Sequence, residues 1–147
     1  MDARDEVIRD ANLADAAEIA RLSAQLGYVA DAPVFEDRLQ RIAAMPTHAV
    51  LVCEGEAGGL VGFIGAEHRL MIESGDRAEI VALVVDADIR RGGTGRRLVA
   101  AAEDWARARG IDRVLVRSNV ARGEAHDFYP ALGYAHAKTQ HVYLKRI

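Results

Sequence analysis

The apolar positions of this chain change their period several times, and each change marks an element. Leu13, Ala16, Ala17, Ile19 and Ala20 recur at helical spacing, predicting a helix up to about residue 26. Asn12 stands where an N-cap would, Asp15 follows three positions later, and Gly27 stands where such a helix would stop. A second helical pattern covers residues 34–44 and meets Pro46. Residues 48–54 (HAVLVCE), 60–67 and 77–85 (RAEIVALVV) read as strands. The last of these is apolar without a break after Glu79, as a central strand covered on both faces would be. Leu98, Ala101, Ala102, Trp105 and Ala108 restore the helical period over residues 94–109, with Gly110 as the stop. Residues 113–117 alternate again, and residues 122–132 form a shorter helix interrupted near Pro130. Residues 6–9 and 136–144 supply a first and a last strand, the latter with Val142 and Leu144 on one face. The order β-α-α-β-β-β-α-β-α-β predicts an α/β (α+β) fold, a mixed sheet with helices on both faces.

Length and composition narrow the class. The 147 residues contain no repeat, low-complexity stretch or linker, so one domain spanning residues 1–147 is expected. A formal net charge of −3 argues against a nucleic-acid partner. The charged start lacks the apolar core of a secretory signal, and no apolar run is long enough for a membrane span. Cys53 is the one cysteine, so no intrachain disulfide can form and no cysteine cage can hold a metal. A cytoplasmic protein without metal or membrane partner is the expectation. His48, His68, His126, His136 and His141 show no ligand spacing on an expected helix.

The strongest local signal is Arg90-Arg91-Gly92-Gly93-Thr94-Gly95-Arg96, between an apolar strand and a helix. The first amides of a helix have no intrahelical acceptor, and the helix dipole adds positive potential there. Glycines let phosphate oxygens approach the backbone, and Arg90, Arg91, Arg96 and Arg97 raise the local potential. The Lys-Ser/Thr ending of a nucleoside-triphosphate loop and the GxGxxG dinucleotide fingerprint are both absent. Alone, such a loop serves equally as a tight strand-to-helix turn.

Arg90-x-x-Gly93-x-Gly95 after ALVVDADI, followed by Asn119, Ala125, Phe128-Tyr129 and Leu132-Gly133-Tyr134, resembles the GCN5-related N-acetyltransferase (GNAT) superfamily over nearly the whole chain. The resemblance implies a mostly antiparallel sheet whose halves splay apart beside the central strand. It implies acetyl-CoA bound in that splay, and direct transfer to a primary amine of a small molecule or peptide in a ternary complex. A homodimer is compatible with it. Pro130 departs from the pattern directly after Tyr129 and restricts the geometry of that residue.

The chemistry needs a base, an acid and oxyanion donors. Neutralising a lysine-like amine at pH 7 costs roughly 4–5 kcal/mol, which a base offsets. The resemblance implies that Glu79, eleven positions before Arg90, is that base; a strand-face glutamate bridged to Arg77 or Arg117 is the alternative. Tyr129 resembles the tyrosine that protonates the CoA thiolate, or else packs as a helix-face aromatic. Asn119 would bond the pantetheine arm, or cap a loop. The backbones of Leu83, Val84 and Val85 would pair with pantetheine like an added strand, with an oxyanion donor near Val84. Arg90, Arg91, Gly92, Gly93, Thr94, Gly95 and Arg96 would hold the pyrophosphate. Tyr28, Asp31, Phe35, Glu73 and Asp76 are candidates for a cation pocket or for a solvated loop surface. The acceptor amine could belong to an aminoglycoside, a polyamine, an amino acid or a protein N-terminus. A pocket near Gly62 and Gly65 would admit a longer acyl chain. A domain that binds acyl-CoA without turnover is the competing reading.

Overall fold

The computed structural model describes residues 6–89, 92–118 and 123–147, without the side chains of residues 123–125. These form two compact units, one ending at Arg117 and one beginning at Ser118.

Five strands of the first unit make one sheet in chain order: β1 (Val7–Asp10), β2 (His48–Glu54), β3 (Leu60–Met71), β4 (Gly75–Val85) and β5 (Val114–Val116). The first four are antiparallel neighbours, and β5 joins β4 in parallel. A parallel neighbour requires a crossover, here the helix α3 (Thr94–Ala108). Two helices, α1 (Ala16–Ala24) and α2 (Ala32–Ala43), lie between β1 and β2 in sequence. They cover one sheet face, where Ala16, Ile19, Leu22 and Leu39 pack with Val52, Phe63 and Val84. The other face packs on α3, with Ala78 against Ala106, Ile111, Trp105 and Val114.

A bulge in β4 decides which residues face which helices. Gly65 pairs with Ala82 and Ala66 with Ile80, so Val81 is an extra residue. Side chains alternate between faces along a strand. Because Ala78 faces α3, Arg77 and Glu79 face the α1/α2 side. Past the bulge, Ala82 and Val84 face that side too.

Local chemistry sets the element ends. The Asn12 side chain accepts from the Ala14 amide, and Asp15 accepts from the Asn12 amide, a complete capping box opening a 3-10 turn that runs into α1. Asp15 also takes two hydrogen bonds from Arg9, at 2.8 and 2.9 Å, which tie α1 to β1 and hold its carboxyl below the usual carboxylate range. Gly62 lets α3 settle on the sheet, since a Cβ there would lie 2.8 Å from the Val84 carbonyl oxygen and 3.0 Å from Leu98.

The sequence pattern ends β3 at Glu67, but the strand continues to Met71 and forms a long hairpin with β4, turning at residues 72–74. Charged side chains at Glu67, Arg69 and Arg77 mask the alternation there. The second unit contains α4 (Gly123–Ala131), with Pro130 in its last turn. The expected strand over residues 136–144 is not formed: these residues have no regular structure and pair with no strand among the described residues. Val142, Tyr143 and Leu144 are 86%, 90% and 87% exposed, so the alternation there has no apolar surface to cover.

The Arg9–Asp15 pair gives a stability prediction. Asp15→Asn should lower unfolding free energy by about 1–3 kcal/mol at pH 7, the scale of a charge-assisted hydrogen bond. Because folding depresses this carboxyl, its contribution is complete above the ordinary value of 3.8 and fades as pH falls through the folded value. Denaturant titrations of both proteins should therefore converge in strong acid.

Candidate functional site

β4 pairs with β3 along its length, but with β5 only through Ala78, Glu79 and Ile80. Beyond Ile80 the β4–β5 pairing stops, leaving one edge of residues 81–85 without a strand partner among the described residues. The Asp86 amide donates to the Val61 carbonyl. Hydrogen-bonding residues alternate along an antiparallel ladder. The main-chain groups of Ala82 and Val84 therefore face β3, and those of Leu83 and Val85 face the gap. The expected donor near Val84 is thus not the amide of Val84 itself.

The Gly-rich loop leads from this edge into α3. Gly93 is the N-cap, left-handed at φ 84°, and contributes no side-chain cap. The first intrahelical bond runs from the Arg97 amide to the Gly93 carbonyl at 3.0 Å. The amides of Thr94, Gly95 and Arg96 have no acceptor among the described residues. Three orphan donors at a helix N-terminus make an anion cradle. A Cβ on Gly93 would lie 3.0 Å from the Arg97 guanidinium. Arg90 and Arg91 lie outside the described residues.

Arg97 does not act as the free cation that the sequence suggests. It pairs with the Glu6 carboxylate, which is 6% exposed, and donates to the Gly92 carbonyl at 3.2 Å. The Thr94 hydroxyl and the Cys53 thiol also donate to Glu6. Glu6, read only as the start of a strand, thus anchors the loop from beneath. Burial and the nearby Glu6 charge push the Cys53 thiol up to about 12, which makes it an inert packing group. On the other side, Gln25 accepts from the Ala87 amide at 2.9 Å, and Arg21 pairs with Asp86 at 3.1 Å. These contacts pin the end of β4 to α1.

Glu79 sits where β5 leaves β4, its carboxylate 4% exposed. Arg117 donates to Oε1 at 2.8 Å, while Oε2 lies 3.4 Å from Arg77 and 3.6 Å from Arg69. The bridges to Arg77 and Arg117 that the sequence allowed are both present. The acidic-aromatic pocket is not assembled. Phe35 packs with the α1/α2 cluster, whereas Asp76 shares the α3 face with Ala78 and is bound by His68 at 2.7 Å. At Gly62 the Val84 carbonyl oxygen and Leu98 lie within 3.0 Å of where a Cβ would stand. Among the described residues, no cluster of His, Cys, Asp or Glu is arranged to hold a metal ion.

The family model of the Acetyltransferase (GNAT) family matches residues 15–134. The chain belongs to this family. It is 40% identical over 65 residues to an uncharacterized N-acetyltransferase of Bacillus subtilis, a match covering 44% of this chain and 46% of that protein. It is 31% identical over 110 residues to glucosamine 6-phosphate N-acetyltransferase 1 of Oryza sativa subsp. japonica, covering 72% and 65%. The match thus spans less than two thirds of each of these relatives. The aminoglycoside acetyltransferase AAC(6')-Iy, solved with a CoA-acetylneamine bisubstrate analog, superposes with a TM-score of 0.85 at 19% identity, covering 97% of this chain and 99% of that one. The fold is therefore the mixed, mostly antiparallel GNAT-type sheet with helices on both faces.

In this GNAT chain Tyr129 belongs to the second unit. Its ring meets Phe128 and Tyr134 edge-on at 5.0 and 5.8 Å, and its carbonyl accepts from the Tyr134 amide at 3.1 Å. Burial raises its hydroxyl above the ordinary phenol value. Asn119 lies outside the described residues.

Gly93→Val should abolish thermal stabilisation by coenzyme A. Gly110→Val is the control: its φ is 77°, also left-handed, but it closes the opposite end of α3 with nothing within 4 Å of its Cβ position. It carries a similar backbone strain of about 1–3 kcal/mol, yet should keep the full shift with coenzyme A. Equal shifts in both variants would remove the loop from the site.

Proposed function

We propose that the chain transfers the acetyl group of acetyl-CoA to the primary amine of a small molecule by direct attack in a ternary complex. One observation carries this reading: among the described residues, β4 has an unpaired edge over residues 81–85, and the next helix in the chain, α3, opens on orphan amides. An added strand needs such an edge, and a pyrophosphate needs such amides. Pantetheine would pair with the main chain of Leu83 and Val85, with Val84 holding the edge through its core packing. The diphosphate would bind the amides of Thr94, Gly95 and Arg96, framed by Gly92 and Gly93 and approached by Arg90 and Arg91. Asn119 would bond the pantetheine arm, as the family resemblance implies. The relatives named for glucosamine 6-phosphate and for aminoglycosides support an amine on a small polar molecule.

In the reaction the amine nitrogen attacks the thioester carbon and its electron pair forms the new C–N bond. The carbonyl π electrons move to oxygen and are met by a main-chain amide facing the gap, that of Leu83 in our assignment. The C–S bond then breaks, and the thiolate takes a proton from the Tyr129 hydroxyl, the role the resemblance gives it. The ammonium proton leaves through Glu79. Its Oε2 has only the long contacts to Arg77 and Arg69, so it is the oxygen able to accept, directly or through water.

Occupancy of Glu79 by guanidinium donors is the one feature that favours a domain holding acyl-CoA without turnover. Thiol release from acetyl-CoA across a panel of amines separates the two readings. Release with at least one amine is expected; coenzyme A binding with no release from any would establish the non-catalytic reading. With an active amine, Glu79→Gln should lower kcat by about 10²–10⁴-fold. Tyr129→Phe should leave the KM for acetyl-CoA in place and lower kcat. Because burial raises this phenol, its alkaline limb should lie above the ordinary value of 10.0 and vanish in the variant.

A further inference from the structure

The chemistry at the foot of the gap bears on which amine binds. Arg69 of β3 stands directly opposite Arg77 of β4, and the next pair on the same face is Glu67 opposite Glu79. Like charges directly across a sheet repel, so each pair depends on its neighbours for compensation. That compensation is uneven. The closest contact of Glu79 is with Arg117 at 2.8 Å, and Glu67 lies 3.2 Å from His48. Arg69 reaches these carboxylates only at 3.6 and 3.7 Å, beyond hydrogen-bonding distance. Its guanidinium is 44% exposed. Arg77 makes one long hydrogen bond, at 3.4 Å, and its buried Nε has no partner among the described residues. Two guanidinium groups on adjacent strands therefore offer donors that the sheet does not use. They lie on the α1/α2 face, Arg77 two residues before Glu79 in β4 and Arg69 opposite Arg77 in β3, at the end of the β4–β5 pairing away from the gap.

Resting on the acetyl-transfer reading, we infer that the acceptor carries an anionic group, a carboxylate or a phosphate, near its amine, and that Arg69 with Arg77 binds it. Guanidinium forks match both oxyanions in bidentate geometry. With the anion between the two arginines, the amine is directed toward Glu79, two residues along. The same arrangement selects against a polycation, which would bring further positive charge to a like-charged pair. The carboxylates that would attract one are elsewhere or engaged: Asp76 is on the α3 face with His68, and Glu79 is among guanidinium groups. This separates the chain from acetyltransferases with polycationic acceptors, whatever their likeness in fold.

The test uses the full-length protein with bound coenzyme A for calorimetric binding, and acetyl-CoA for turnover. Three comparisons are made: glucosamine 6-phosphate against glucosamine, an α-amino acid against its amide, and spermidine. We expect at least a tenfold preference for the anionic member of one pair, and which pair shows it identifies phosphate or carboxylate. Arg69→Gln should remove most of that preference and Arg69→Lys should retain part, with the KM for acetyl-CoA unchanged in both. Equal or better binding of the neutral amine or of spermidine overturns the inference, as does a preference untouched in Arg69→Gln. Normal coenzyme A binding with no anionic amine bound overturns the inference alone. Failure of the wild-type protein to bind coenzyme A overturns the acetyl-transfer reading and this inference together.

Discussion

Among the described residues, one edge of β4 is left open past Ile80, and the rest of the site is arranged around that fact. A strand in the middle of a sheet normally satisfies both edges. Here one edge is satisfied along the whole strand, while among the described residues the other is satisfied only through Ala78, Glu79 and Ile80. Main-chain groups at Leu83 and Val85 then face a side with no strand partner among the described residues. An open edge invites aggregation unless something covers it. A ligand that pairs like a strand gives this edge a use, and the short length of β5 maintains it.

Polar contacts between distant segments hold the start of α3 and the end of β4 in place. From below, Glu6 gathers Arg97, Thr94 and Cys53 under the start of α3. From the side, Arg21 and Gln25 of α1 grip Asp86 and Ala87 as β4 ends. Each is a contact between segments distant in sequence, so the loop that receives an anion is fixed by three elements other than its own. Charge placement follows the same logic. Arg97 is neutralised where the loop needs stiffness, while Arg69 and Arg77, which reach their carboxylates only at 3.4–3.7 Å, lie on the face away from α3.

Much of this was legible beforehand. The switch from strand to helix around Gly92, Gly93 and Gly95 is a local signal, and so is the capping box of Asn12 and Asp15. The continuous apolar run after Glu79 marks a central strand for the same reason. What escaped were features that need pairing information. Glu6 is one charged residue in a charged start, and nothing local tells that Arg97, 91 positions on, will meet it. The opposition of Arg69 and Arg77 depends on hairpin register, which their own polarity hides. The acidic pocket failed because Asp76 and Phe35 take opposite faces, a matter of phase and not of composition. The expected last strand failed because alternation alone supplies no partner.

Val81 has a consequence out of proportion to its size. It is a single insertion in the strand's two-residue rhythm, and it reverses the phase of everything before it. Delete it while keeping residues 82–85 in register, and Glu79 and Arg77 would rotate beneath α3, with Ala78 and Ile80 turned to the α1/α2 side in their place. Four positions would exchange environments without any of them changing identity. A lineage of such chains can therefore reassign the charge of this crevice by a one-codon indel in the strand as well as by substitution at the residues that line it.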